Sequence, residues 1–284
     1  MPDDRLLRRY HLCTVVALWG KAFMGNKGRV GVAVGIGRMA GALLGLLIGA
    51  ASSIAFAATE PADDDAKIAQ HLAEMLRDAR AIISDNQSRI NDPNIGDKGL
   101  TAQAVLDEAI QTYKKNTVLD PTTIDPSSRD GRLLRAMMGA IAEVMDANQP
   151  TINAKGIGFK AFIPAVFGRL VGESFARLAK GEAELKVTAP RELVRNRKAL
   201  PDAFEEKIIK AKLDEPGWPR GQPYSEMTDT KGRPAFRVMV PEYYAESCLS
   251  CHGGPKGELD VTGYPKEGAK KDDLGGVISI TLYR

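Results

Sequence analysis

Two cysteines and a histidine near the C-terminal end of the chain have the spacing of a haem-attachment motif. Residues 248–252 read CLSCH, so two thiols lie three positions apart and an imidazole follows the second thiol directly. Thiols at this spacing can each add to one of the two vinyl groups of a haem, and the next residue then lies beneath the iron. The motif therefore predicts one covalent haem c, attached through Cys248 and Cys251, with His252 as the proximal iron ligand.

The same cysteines allow three other interpretations: a disulfide, a thioredoxin-like redox pair and half of a zinc site. A zinc site needs about four ligands, and beyond residue 57 His71 is the only soft ligand in addition to the three motif residues. A thioredoxin-like pair opens a helix, whereas the GGP sequence after His252 ends one. The pattern favours haem c over these alternatives.

The first 57 residues have the organisation of an export signal. They carry seven basic and two acidic side chains, and residues 39–58 carry no charge. The apolar stretch ends in the small-x-small sequence AFA at 55–57, which signal peptidase accepts. We expect cleavage after Ala57 and a protein that functions outside the cytoplasm, in the periplasm. Covalent haem attachment takes place in that compartment as well.

An uncleaved N-terminal anchor is the alternative interpretation of the segment 1–57, because about 20 residues can span a bilayer. Such an anchor would associate the protein with the inner membrane. Roughly half of residues 39–58 are glycine, alanine or serine, which insert weakly, and this composition favours cleavage. The acidic residues 58–65 (ATEPADDD) are predicted to form a linker, and 66–284 the folded domain.

The charge distribution excludes nucleic acid as an expected partner. The whole chain has a formal charge of +3, but residues 58–284 hold 32 basic and 34 acidic side chains. The basic excess therefore belongs to the predicted export signal, and the folded domain has no basic footprint. Aromatic residues make up only 6% of the chain, which weakens any base-stacking surface.

Hydrophobic periodicity predicts helices first and strands later. Apolar residues recur at helical spacing over 66–90, in a segment capped by Thr101, in a segment after the loop 120–128 and over 164–179. Alternating segments then predict strands, with a short helix over 202–213. The predicted strands lie at 184–188, 224–228, 234–240 and 276–283, and a turn at 229–232 joins the middle pair. This order predicts an α+β fold with an antiparallel sheet.

The C-terminal third resembles the PAS-like haem-c domains that occur as periplasmic sensor regions of bacterial histidine kinases and as stand-alone proteins. The similarity is carried by RN at 195–196, PDAFE at 201–205, CLSCHG at 248–253, YP at 264–265 and GGVISI at 275–280, with looser matches at 86–91 and 158–167. The resemblance implies a helical N-terminal half packed on a PAS-like antiparallel sheet, with the haem between sheet and helices. It also implies that a sensor of this kind needs a separate signalling partner, since no kinase follows.

The second axial ligand of the iron is open. Some members of the family use an N-terminal cysteine there, but the chain has no third cysteine after residue 57. His71, on the first predicted helix, is a possible distal ligand. Methionine is another common ligand of c-type haem, and the candidates are Met75, Met137, Met138, Met145, Met227 and Met239.

Other residues are candidates for the haem pocket. A guanidinium pairs well with a carboxylate, so Arg195, in a basic run, is expected in the haem pocket beside a propionate. Tyr244, with Tyr243, is expected to pack at the haem edge. The segment 266–273, which includes Glu267, is expected to be an exposed loop of mixed charge.

Two functions share this haem. The first is an exported cytochrome for one-electron transfer or redox response, with a redox protein as partner. The second is a haem-based sensor that binds a small gas or reports redox state to a sensor kinase. An enzyme is not expected, because a peroxidase needs distal acid–base groups and only His71 is available for that role.

Overall fold

The computed structural model describes residues 61–284, so the predicted export signal at 1–57 lies outside the described residues. The fold is α+β, as predicted. Its helices are α1 Pro61–Asp85, α2 Gln87–Ile90, α3 Ala102–Thr117, α4 Arg129–Ile152, α5 Pro164–Leu178, α6 Ala203–Ile208 and α7 Leu249–His252, and its strands are β1 Ala183–Thr188, β2 Tyr224–Thr230, β3 Arg233–Tyr243 and β4 Leu274–Tyr283.

The helical half follows the predicted pattern with two local differences. Thr101 caps α3 by accepting a hydrogen bond from the backbone N–H of Ala104 at 3.1 Å. Residues 61–65, expected in a linker, instead form the start of α1, where proline and acidic residues are both favoured. The predicted helix over 66–90 is interrupted at Asn86, so that it becomes α1 and the short α2. No helix in the described range is both long and apolar enough to cross a membrane.

The four strands form one antiparallel sheet in the order β1-β4-β3-β2. β2 and β3 are joined by the two-residue turn of Lys231 and Gly232, at φ values of 56° and 75°. Two successive positive φ values match the twist of a hairpin, and glycine adopts them without steric cost. β3 and β4 are the central strands, and the loop that joins them carries the CLSCH motif.

The sheet is covered on both faces. One face packs on α1, α3, α4 and α5 in a single core, to which the sheet contributes alternate residues such as Val238 and Ile280. The other face packs against α6 and the π-helical turn Ile209–Leu213, using Met239 and Val277. Because both faces are buried, β3 and β4 are apolar along most of their length.

Ion pairs between charged side chains hold α6 against the sheet. Asp202 and Glu205 form a capping box at its N-terminus. Arg237 on β3 is buried, and it donates to Asp202 at 2.9 Å and to Glu205 at 3.2 Å. These contacts explain the PDAFE sequence at 201–205 in terms of fold: it anchors the second layer on the strand that leads into the motif.

Candidate functional site

The CLSCH motif occupies one compact turn directly after β3. A 3₁₀ turn over Glu246–Cys248 continues into α7, Leu249–His252. Cys248 and Cys251 are both free, half-buried thiols. The turn ends at Gly253, a position that needs glycine because a β-carbon there would lie 2.5 Å from the carbonyl oxygen of Leu249. The predicted break after His252 is thus confirmed.

Polar contacts fix the motif against the C-terminal half of α1. Glu242, near the end of β3, accepts hydrogen bonds from Arg77 at 2.8 and 2.7 Å and from Arg80 at 3.1 Å. Five residues further on, the hydroxyl of Ser247 accepts a hydrogen bond from Ser84 at 3.2 Å. α1 and the segment that leads into the motif therefore meet at two points, although more than 160 residues separate them in sequence.

His252 has one ring nitrogen engaged by a carboxylate. Its Nδ1 lies 2.9 Å from Oε2 of Glu267, and its side chain is 29% exposed. A metal-binding histidine characteristically donates one ring N–H to a carboxylate and binds the metal through the other nitrogen. Within residues 61–284, Nε2 has no hydrogen-bond partner. The contact with Glu267 thus leaves Nε2 as the ring nitrogen that could bind a metal.

Tyr244 packs flat against the same imidazole. The two ring centroids are 4.9 Å apart at an interplanar angle of 29°, and the phenol oxygen lies 3.4 Å from Nδ1. Burial, with the nearby charge of Glu267, raises the pKa of Tyr244 to about 12, so the phenol is neutral. Tyr244, a predicted site residue, is therefore in contact with the predicted iron ligand. The hydroxyl of Tyr243 accepts a hydrogen bond from the backbone N–H of Gly221 at 3.0 Å.

Arg195 reaches the site, but its guanidinium is occupied by the protein itself. It donates two hydrogen bonds to Glu267, at 2.9 and 3.0 Å, and one to Asp260 at 2.5 Å. A further hydrogen bond, at 3.0 Å, goes to the backbone carbonyl of Cys251. Two carboxylates of the chain thus take up the guanidinium fork in this structure, and the expected contact with a haem propionate stays a prediction.

Glu267 and Asp260 are site residues that the sequence analysis missed. Glu267 was expected in an exposed loop, yet its side chain is 17% exposed and joins His252 to Arg195. Burial raises the pKa of Glu267, but hydrogen bonds from Arg195 and His252 outweigh it and lower the pKa overall. The Asp260 side chain is fully buried and also accepts from Thr262. The only sequence signal was the turn-forming pattern DVTG at 260–263.

The structure does not bring His71 to the motif. His71 lies on α1 thirteen residues before Ser84, which is about 20 Å along the helix axis at 1.5 Å per residue. Its Nδ1 instead lies 2.9 Å from the carboxylate of Asp130, at the start of α4. The ring also contacts Tyr113 edge-on at a centroid distance of 6.2 Å. These contacts are those of a buried structural histidine.

The candidate methionines also have ordinary places in the fold. Met227 on β2 is 48% exposed, and Met239 packs on the α6 side of the sheet. The remaining four, which all lie in the core shared by the helices and the sheet, are Met75, Met137, Met138 and Met145.

The motif's donor set fits a covalent haem. Two free thiols and an imidazole with an unengaged Nε2 lie on one turn. By contrast, the described residues contain no group of three or more histidine, cysteine, aspartate or glutamate side chains arranged to hold a metal ion.

Comparison with known proteins agrees with the resemblance seen in the motif. No curated protein and no solved structure shows significant similarity to the chain. A family model described as Tll0287-like matches residues 59–282, which include the CLSCH motif and all of the described helices and strands except the last residue of β4. This match is consistent with the expected relationship to PAS-like haem-c domains. The chain belongs to the Tll0287-like family.

Proposed function

We propose that the protein is an exported mono-haem c-type cytochrome that acts in one-electron transfer or redox response. One haem would be attached through Cys248 and Cys251, with His252 as the proximal ligand. The observation that carries the proposal is the turn 248–252, where two free thiols precede a histidine whose Nδ1 is bound by Glu267. When bound, the haem supplies an iron that alternates between the ferric and ferrous states.

The residues of the chain support such a centre in definite ways. Tyr244 covers one face of the imidazole and keeps water from it. Arg77 and Arg80 hold Glu242, and thereby the end of β3, against α1. His252 is partly exposed, so a redox partner protein can approach the centre at the surface. The proposal assigns no enzymatic activity to the protein.

A second candidate function is a haem-based sensor that binds a small gas or reports redox state. The position of His71 favours this function. Among residues 61–284 no histidine other than His252 lies at the motif, so no second histidine would occupy the iron site that a gas would bind. The contacts of Glu242 and Ser247 with α1 would carry a change at the haem into that helix. The output would pass to a separate partner such as a sensor kinase.

The place of action follows from the sequence and belongs to the same proposal. We assign the protein to the periplasm, with cleavage after Ala57, and the family model begins two residues after that position. Sequencing the N-terminus of exported protein tests this assignment. A start at Ala58 supports cleavage, whereas an intact leader in the membrane fraction supports the anchored alternative.

The decisive experiment is expression in a host with a working cytochrome c maturation system. The expected product is red, has the mass of the processed chain plus one haem, and gives the pyridine haemochrome spectrum of two thioether bonds. Replacing Cys248 and Cys251 by serine should abolish attachment, whereas Cys13→Ser, in the predicted export signal, should not. A colourless product with the mass of the unmodified chain would overturn the proposal.

The visible spectrum of the same product separates the two functions. Six-coordinate, low-spin bands that do not change with carbon monoxide support the electron carrier. A high-spin spectrum that shifts when carbon monoxide or nitric oxide is added supports the sensor.

A further inference from the structure

We propose that Glu267 is the positioning residue that orients His252 and holds the midpoint potential of the haem iron low. The inference rests on the proposed haem attachment and adds the residue that tunes it. Oε2 of Glu267 lies 2.9 Å from Nδ1 of His252, in a side chain that is 17% exposed. A carboxylate in this place makes Nδ1 the hydrogen-bond donor and leaves Nε2 for the metal.

The position of Glu267 is built by the backbone of its own loop. The N–H of Ala269 donates to the carbonyl of His252 at 2.8 Å, and the N–H of Gly268 donates to that of Gly253 at 3.1 Å. These two hydrogen bonds hold the returning chain beside the motif turn. Glu267 directly precedes these two residues, so the backbone of the loop places its carboxylate beside the imidazole.

Arg195 fixes the orientation of that carboxylate. Its Nε and one terminal nitrogen bind the two oxygens of Glu267 at 2.9 and 3.0 Å, which is the bidentate pairing of a guanidinium with a carboxylate. The same side chain holds Asp260 and the carbonyl of Cys251. A lysine cannot reproduce this fork, because its ammonium group is a single point of charge.

The alternative partner of Nδ1 is less well placed. The hydroxyl of Tyr244 lies 3.4 Å away, compared with 2.9 Å for Glu267. A phenol is also a weaker acceptor than a carboxylate, whose charge-assisted hydrogen bonds are shorter and stronger. Tyr244 therefore stacks on the imidazole ring, and Glu267 accepts the hydrogen bond from Nδ1 of His252.

The physical consequence is electronic. A carboxylate that accepts the Nδ1 proton increases the basicity of the imidazole, so the ring donates more strongly to a bound metal. Stronger donation stabilises ferric iron relative to ferrous iron, and hydrogen bonding around the ligand is one of the levers that set haem potentials. Replacing the carboxylate by a neutral amide should therefore raise the midpoint potential.

The test compares wild-type holoprotein with Glu267→Gln by spectroelectrochemical titration, and Glu258→Gln is the matched control. Glu258 lies on the same loop, its side chain is 53% exposed, and within residues 61–284 its one ion pair is with Lys266, at 3.5 Å. At a given electrode potential we expect the ratio of ferrous to ferric haem to be about ten times higher in Glu267→Gln than in the wild type, which corresponds to a rise of about 59 mV in the one-electron midpoint potential. Arg195→Lys should shift the potential in the same direction by a smaller amount. The ferric EPR spectrum should change in both variants and remain unchanged in Glu258→Gln.

Each outcome bears on a different claim. Absence of haem from the wild-type protein defeats the proposed function and, with it, the role of Glu267, which rests on that function. Haem-loaded Glu267→Gln with the wild-type potential and EPR spectrum overturns the role of Glu267, even if its melting temperature falls. If Glu267→Gln does not mature, Glu267→Asp and Arg195→Lys decide: unchanged potentials in both overturn the inference, and a positive shift in Arg195→Lys supports it.

Discussion

The ring of Tyr244 occupies the space that a side chain at Gly275 would fill. A β-carbon on Gly275 would lie 2.7 Å from Cε1 of the tyrosine. Tyr244 follows β3 and Gly275 lies near the start of β4, so the glycine allows the aromatic ring to close over the end of the sheet. The stacking of Tyr244 on His252 therefore depends on the absence of a side chain one strand away.

Gly275→Ala should displace Tyr244 and disturb the motif. The clash involves a ring that is itself packed, so we expect the free energy of unfolding to fall by about 1–3 kcal/mol. The visible spectrum of the holoprotein should also shift, because the imidazole loses its stacking partner. Thermal melts and spectra measure both effects, and Gly158→Ala is the control because nothing lies within 4 Å of its β-carbon position. A variant as stable as the wild type with the same spectrum would contradict the interpretation.

His71→Ala should leave the haem spectrum unchanged and lower the stability. The histidine hydrogen-bonds to Asp130 on α4 and lies about 20 Å along α1 from the contact with the motif. Its removal leaves the partly buried Asp130 without that partner, for which we expect about 1–2 kcal/mol of destabilisation. Loss of low-spin bands in this variant would instead identify His71 as an iron ligand.

Asp78→Asn should change the pH dependence of stability. Burial and the nearby charge of Glu74 raise the pKa of Asp78 to about 7, and Oδ2 has no hydrogen-bond partner in the described structure. The folded state therefore holds a proton that the unfolded state releases near pH 4, so the stability from this group falls as the pH rises from about 4 to about 7. The charge of Arg77 and a hydrogen bond from Asn116 at 2.9 Å oppose the shift without cancelling it.

The asparagine variant lacks this ionisation and keeps an acceptor for Asn116. It should be more stable than the wild type at pH 8 by about 1–3 kcal/mol and close to it at pH 4. Denaturant titrations at both pH values measure the difference. Asp107→Asn, exposed on α3, should show no such dependence. Equal stability differences at pH 4 and pH 8 would refute the assignment.

Asp260→Asn should destabilise the loop after the motif. The pH dependence of its stability should be opposite to that expected for Asp78→Asn. Burial raises the pKa of Asp260, but hydrogen bonds from Thr262 and Arg195 outweigh it and hold the pKa well below its usual range. The stability that this carboxylate contributes is therefore complete above about pH 4 and is lost as the pH falls. At pH 7 the variant should be about 2 kcal/mol less stable than the wild type, because its buried donors lose a charged acceptor.

The difference in the free energy of unfolding between Asp260→Asn and the wild type should become smaller as the pH is lowered from 7 to 3. Thermal melts across this range measure it, and the exposed Asp214→Asn serves as the control. A gap that stays constant down to pH 3 would show that the carboxylate charge does not matter there.

Local patterns were enough to place the chemistry and most of the elements. The CLSCH motif predicts a covalent haem because two thioether bonds and an axial ligand need three residues on one short turn. Apolar periodicity located α3, α5 and the antiparallel strands, since one buried face imposes a period of 3.6 in a helix and of 2 in a strand.

Periodicity was less accurate at the ends of helices and strands, and it did not show which strands pair with each other. The interruption at Asn86 and the helical residues 61–65 lie at such ends, where the hydrophobic signal is weakest. The sheet order β1-β4-β3-β2 also needed the structure, because alternation shows that a strand has a buried face and not which strand lies beside it.

The surroundings of the motif were decided by the tertiary structure alone. Glu267 is fifteen residues from His252 and 72 from Arg195, and its charged loop looks like any solvated surface segment in sequence. His71 lies on the helix that contacts the motif, but the rise of that helix carries it to Asp130 instead. The proposed covalent attachment depends on neighbouring residues that the sequence shows directly, whereas hydrogen bonds between distant side chains form only when the chain folds.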